Sequence, residues 1–194
     1  ADDAIFLERV LCNESGGVQD QIAASFGGMN RINFNAEGYT VNPVIISPER
    51  KKLLNRNLML FFTGFSRFSS DIQVAAEKNL KSKQNQLLEM LSLVDDAEKI
   101  LTSKTDLEEF GRLLDYTWQL KRGITDKVST DSIDAVYSRA LQAGATGGKL
   151  LGAGGGGFLL FYVDPDKQEN VRKALENLLY VPFEFENGGT RVIQ

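Results

Sequence analysis

Residues 150–163, LLGAGGGGFLLFYV, place five glycines within six positions between two apolar runs. Runs of this length and character read as buried strands, and the glycines between them as the turn of a hairpin. Left-handed backbone accounts for one or two glycines in such a turn. Five leave a second reading open, in which the backbone is kept bare so that a phosphate or another loop can approach it. Two phosphate-binding patterns are excluded. A strand follows the glycines where a dinucleotide loop requires a helix, and no Gly-Lys-Ser/Thr is present for a Walker loop.

The rest of the chain supplies the partners of that hairpin. From residue 57 the pattern is strand, helices, strand, strand, helix, strand, which is the split βαβ order of a ferredoxin-like α+β sandwich with extra helices in the first crossover. The apolar run in 55–64 is the first buried strand. Helices are expected over 70–94, from a capping box at Thr105 and Glu108, and over 132–143 with Gly144 as the stop. The second of these buries Leu107, Phe110, Leu114, Trp118 and the stem of Lys121. Asp164 and Pro165 are expected to open another helix, and Asn187-Gly188 to turn a terminal hairpin. Ahead of residue 57, residues 1–12 read as an amphipathic helix on Ile5, Phe6, Arg9 and Val10. Val18, Ile22 and Phe26 mark a short helix closed by Gly27 and Gly28, and two strands follow in 29–46 about a turn at 35–38. Arg50, Lys51, Lys52 and Arg56 read as a solvated basic loop.

Composition narrows the chemistry. The chain has no histidine, which removes histidine bases, serine–histidine triads and most zinc sites. Acid–base work must fall to carboxylates, lysine or tyrosine, and no metal ligands are assigned. A net charge of −4 argues against a nucleic-acid partner. The single cysteine, Cys12, forms no intrachain disulfide and fits the cytoplasm. No apolar run approaches ~20 residues, so no membrane partner is expected.

In SGGVQDQ, residues 15–21, Asp20 falls in the first turn of a helix, near unpaired N–H groups and the positive end of the dipole. That carboxylate is either a stabilising helix-terminal charge or part of a site that Gly16 and Gly17 leave open to a ligand. GGVQDQIAASFGG and GGKLLGAGGGGFLLFYV together resemble the second half of the galactokinase, homoserine kinase, mevalonate kinase and phosphomevalonate kinase (GHMP) superfamily. With FFTGFSRFSSDI and the helix from Trp118 to Lys121, they are most similar to its bacterial D-glycero-D-manno-heptose 7-phosphate kinase branch.

The resemblance implies an ATP- and Mg²⁺-dependent sugar-1-kinase acting on the anomeric hydroxyl of a heptose 7-phosphate. It implies Asp20 as the catalytic residue and Gly16, Gly17 and Gln21 as the sugar-lining residues. Gly152, Ala153, Gly154, Gly155 and Gly156 are implied on the nucleotide side. Arg67 is a candidate for the sugar's distal phosphate, with an exposed loop arginine as its other reading. Lys149 reads as a strand-surface lysine, with a phosphate ligand as its other reading. The family's Pro-x-x-x-Gly-Leu-Ser-Ser loop is absent from the sequence. Residues 1–50 are therefore expected to be a remnant of the N-terminal domain and 51–194 the C-terminal domain of a truncated kinase, inactive alone. Two other functions stay open: a kinase for an unphosphorylated sugar such as fucose or galactose, and a non-catalytic binding or assembly module.

Overall fold

The computed structural model describes residues 1–14, 16–64, 72, 75, 76 and 78–193. It opens with α1 (Asp2–Phe6), which continues as a π-helical turn over Leu7–Leu11. No residue of this segment is buried, and Phe6, Leu7, Val10 and Leu11 stand exposed. α2 (Gln19–Phe26) buries Ile22 completely and ends at Gly27, whose φ of +66° only glycine adopts freely. β1 (Asn30–Asn35) and β2 (Gly38–Pro43) pair antiparallel about the expected turn.

The basic cluster is helical, not a loop. α3 (Pro48–Asn57) begins with Pro in its first turn, and the Ser47 side chain accepts from Arg50 N–H at 3.2 Å. Arg50 is not solvated either. Its guanidinium donates to the carbonyls of Leu101 (2.9 Å), Ile100 and Thr105, capping the C-terminus of the next long helix. That helix, α4 (Gln84–Thr102), corrects the 70–94 expectation, because a turn at 80–83 interrupts the pattern and the helix runs on past 94. The Thr105 capping box does not form. Ser103 bonds Thr105, while Asp106 Oδ1 accepts from Glu108 N–H at 3.0 Å at the start of α5 (Glu108–Arg122), whose N-cap residue Leu107 supplies no side-chain cap. α6 (Asp131–Gln142) is capped by Thr130. It closes as expected at Gly144, with Gly144 N–H on Leu141 and Ala145 N–H on Ala140.

β3 (Leu58–Phe62), β4 (Gly147–Leu150), β5 (Phe158–Tyr162) and β6 (Leu179–Tyr180) form one sheet in the order β4-β5-β3-β6, every neighbour antiparallel. This is the order of a split βαβ sandwich. Alternation sends Met59, Phe61, Leu159 and Phe161 into one core with Trp118, Tyr137 and Leu175. Leu58, Leu160 and Tyr162 face a second core with Leu54, Leu101 and Leu114. Asp164 and Pro165 form a turn, and α7 (Gln168–Ala174) starts only afterwards, burying Val171. Among the described residues no helix is long and apolar enough to cross a membrane.

The terminal hairpin does not form. The Glu186 carboxylate accepts the N–H groups of Asn187 (2.7 Å) and Gly188 (2.8 Å), which lowers its pKa and closes a compact turn. The segment then runs across α2: Gly28 N–H donates to Glu186 O, and Thr190 N–H to Ala24 O, both at 3.0 Å. The tail's backbone groups are thus spent on a helix instead of a second strand.

α5 crosses β4 at glycines. A Cβ on Gly147 would sit 2.1 Å from the Gly111 carbonyl oxygen. Gly147→Ala should therefore destabilise the chain by about 1–3 kcal/mol. Gly17→Ala, which meets nothing within 4 Å, should stay within about 0.5 kcal/mol of wild type. Urea melts of the two variants check this, and a Gly147→Ala chain as stable as wild type would refute the close crossing.

Candidate functional site

α2 begins at Gln19 after Val18, which supplies no side-chain cap, so the first-turn N–H groups are left for other partners. Asp20 lies in that turn and is exposed, and among the described residues no hydrogen bond or ion pair is formed by its carboxylate. Gln21 follows it. Its Nε2 donates to Glu8 Oε2 on the π-helical turn, while its Oε1 is buried without a partner. A buried acceptor without a partner costs stability until a donor reaches it.

One cavity of about 580 Å³ is lined by Gly16, Gly17, Asp20 and Gln21 on one side and by Gly152 and Ala153 on the other. The two glycine-bearing motifs, far apart in sequence, thus face a common space. Glu8, Arg9, Cys12 and Glu14 also line it, and sequence reasoning passed over them. Glu8 and Cys12 stand at i and i+4, beside the Ile5, Phe6, Arg9 and Val10 face on which the helix was read. Arg9 donates to the Glu14 carbonyl at 2.9 Å and so closes this wall. Another cleft, of about 560 Å³, lies along α3 between Lys51, Lys52, Arg56 and Phe185 and holds none of the motif residues.

The glycine hairpin divides its work. Gly152 has φ +71°, and a methyl group placed on its Cα would meet nothing within 4 Å, so its face toward the cavity is bare. Gly154, at φ +120°, is pressed on the 125–130 segment, where a Cβ would lie 2.7 Å from Val128 O. Gly155 is buried and donates its N–H to the same oxygen at 2.9 Å. Gly154, Gly155 and Gly156 do not line the cavity. At Gly154 and Gly155 the chain's own backbone takes up the adjacent space. Arg67 lies outside the described residues.

Lys121 Nζ donates to the Gly152 carbonyl and so holds the hairpin to α5. Burial lowers its pKa to about 8, with the charge of Lys149 adding to the effect. Burial lowers the pKa of Lys149 as well. Behind the hairpin, Arg122 pairs with Asp134, which accepts from Ser129 at 2.6 Å and steadies the segment that Gly154 rests on.

The Lys121 shift has a measurable sign. The folded chain releases this proton near pH 8, the unfolded chain near 10.5. Between those values the unfolded state binds more protons, so this group makes stability rise with pH across that window. Lys121→Met should flatten the rise. Melting temperatures of both proteins from pH 8 to 10.5 test it, and identical profiles would show that the two states share one pKa.

Comparison with known proteins follows the same geometry. Residues 93–181 match the family described as GHMP kinases C terminal. The chain is 36% identical over 172 residues to the D-glycero-alpha-D-manno-heptose 7-phosphate kinase of Campylobacter jejuni, covering 87% of this chain and 50% of that protein. A crystal structure of a D-glycero-D-manno-heptose 1-phosphate kinase from Bacteroides thetaiotaomicron superposes with a TM-score of 0.66 at 28% identity, over 98% of this chain and 54% of that one. Lactococcus lactis galactokinase, at 19% identity and a TM-score of 0.67 over 96% of this chain and 59% of that one, shares the fold. The chain spans about half the length of these relatives.

Proposed function

We propose that the protein, whose residues 93–181 match the family described as GHMP kinases C terminal, is an ATP-dependent sugar kinase acting on the anomeric hydroxyl of a heptose 7-phosphate. The observation that carries this reading is the cavity shared by Asp20 and the bare backbone at Gly152. The named activity of the Campylobacter jejuni relative supports the acceptor. ATP and a reduced Cys12 both suit the cytoplasm.

ATP supplies the γ-phosphoryl group. The acceptor oxygen forms a bond to the γ-phosphorus, the bond from that phosphorus to the β–γ bridging oxygen breaks, and ADP leaves. Such transfer depends mainly on positioning and charge stabilisation. The Asp20 carboxylate orients the acceptor hydroxyl and takes its proton as the new bond forms. Gln21, fixed through Nε2 by Glu8, presents Oε1 to a second hydroxyl of the sugar. Gly16 and Gly17 let the ring approach α2. Gly152 and Ala153 give ATP a side without side-chain bulk, which fits a phosphate-bearing ligand. GHMP kinases also use a divalent metal. Among the described residues no group of three acidic, cysteine or histidine side chains fits one, so no step here is assigned to it. Arg67 remains the proposed partner of the distal phosphate on sequence grounds.

Asp20→Asn in the full-length protein tests the reading. Turnover with heptose 7-phosphate should fall by about 10²–10⁴-fold, with the ATP constant within about threefold, since the residue acts on the acceptor. Unchanged turnover with a raised ATP constant would remove Asp20 from that role. Faster turnover of fucose or galactose than of the heptose phosphate would move the assignment to an unphosphorylated sugar.

A further inference from the structure

Two lysines stand at the base of the glycine hairpin, and among the described residues neither meets an acid. Lys121 reaches the Gly152 carbonyl from α5. Lys149 lies on β4 two residues after Gly147 and therefore on the same face. That face is the one that meets α5, because a Cβ on Gly147 would touch Gly111 and Asp115. Following α5 from Asp115 toward its C-terminus leads to Lys121. Asp115 itself is engaged, accepting from Tyr137 at 2.6 Å and Gln119 at 3.1 Å. Both lysines are half-buried.

Like charges held together out of water raise the free energy of the folded chain unless an anion joins them. Burial depresses the pKa of both lysines, and the charge of Lys149 adds to the effect at Lys121. Two ammonium groups match a dianion better than a single carboxylate, and lysine serves phosphate as a compact point charge. Gly152, whose carbonyl Lys121 holds, lines the Asp20 cavity, so the lysines stand behind that wall of it.

We propose that Lys121 and Lys149 form a phosphate-binding pair beside the glycine hairpin, taking a phosphate group of a molecule seated in the Asp20 cavity. The proposal rests on the kinase reading for the identity of that molecule. Either the nucleotide or a phosphorylated sugar presents the required chemistry. In that role Lys149 is a ligand residue and not the surface lysine that its place on an apolar strand suggests. Lys121 then holds both the hairpin carbonyl and the anion.

The protein contains one tryptophan, Trp118, fully buried on α5 one turn before Lys121. Its fluorescence should change saturably as inorganic pyrophosphate is added. Lys121→Gln and Lys149→Gln should each weaken binding about tenfold or more, while Lys121→Arg and Lys149→Arg retain it and Lys52→Gln on α3 has no effect. Titrations with ATP, glucose 6-phosphate and glucose identify the source. A lysine-dependent response to ATP alone assigns the nucleotide, a response to glucose 6-phosphate alone assigns the sugar phosphate, and an equal response to glucose overturns the proposal. Because a glutamine variant can lose its fold, wild-type protein is also acetylated with acetic anhydride and read by mass spectrometry. Pyrophosphate should protect Lys121 and Lys149 but not Lys52, and equal labelling with and without it overturns the proposal. Lysine-dependent phosphate binding in a protein that transfers no phosphoryl group would sink the kinase reading and leave the pair standing. Phosphoryl transfer with unchanged constants in both glutamine variants would sink the pair alone.

Discussion

The close crossing of α5 over β4 sets the geometry of everything near the glycine hairpin. Gly111 and Gly147 carry no side chains, and the backbone of Gly111 would fill the Cβ position of Gly147. The helix therefore lies almost on the strand. From that seat it delivers Trp118 into the core, Arg122 to Asp134 and Lys121 to the Gly152 carbonyl. Tyr137 locks the same corner from α6, donating to Asp115 and accepting the Gly148 N–H at 3.1 Å. A bulkier residue at either glycine would lift α5 and, with it, the support of the hairpin.

The hairpin's glycines answer to two physical demands at once. At Gly154 and Gly155 the demand is internal, because the backbone of Val128 takes up the space. At Gly152 it is external, because nothing in the chain fills the open side. A glycine-rich sequence alone does not separate these cases, since both ask for the same residue.

The sheet order was legible because β3 and β5 are apolar runs of strand length, with glycines and strongly periodic helices between them. The pairing of the Asp20 motif with the hairpin came from resemblance, and the shared cavity gives it a geometry. What escaped was decided by tertiary contact. Asn187-Gly188 has the composition of a hairpin turn, but Glu186 takes both N–H groups and the flanking backbone bonds α2. The basic cluster looked solvated because nothing local reveals that Arg50 finds the end of α4. Glu8 became part of the candidate site by lining the cavity and bonding Gln21, and Lys121 only through a carbonyl on another element.

The crossing of the tail over α2 has a consequence for biosynthesis. Thr190 grips the Ala24 carbonyl through both its N–H and its hydroxyl, and a Cβ on Gly189 would collide with Ser25 O at 1.9 Å. Strands β3, β4 and β5 all precede residue 163 and can associate as soon as they leave the ribosome. The helix bearing Asp20 is made before any of them, yet its tether is made after all three. During translation the scaffold is thus in place while the acidic wall of the cavity still waits for residue 190, so a chain halted short of that point would keep its sheet and lack a fixed Asp20.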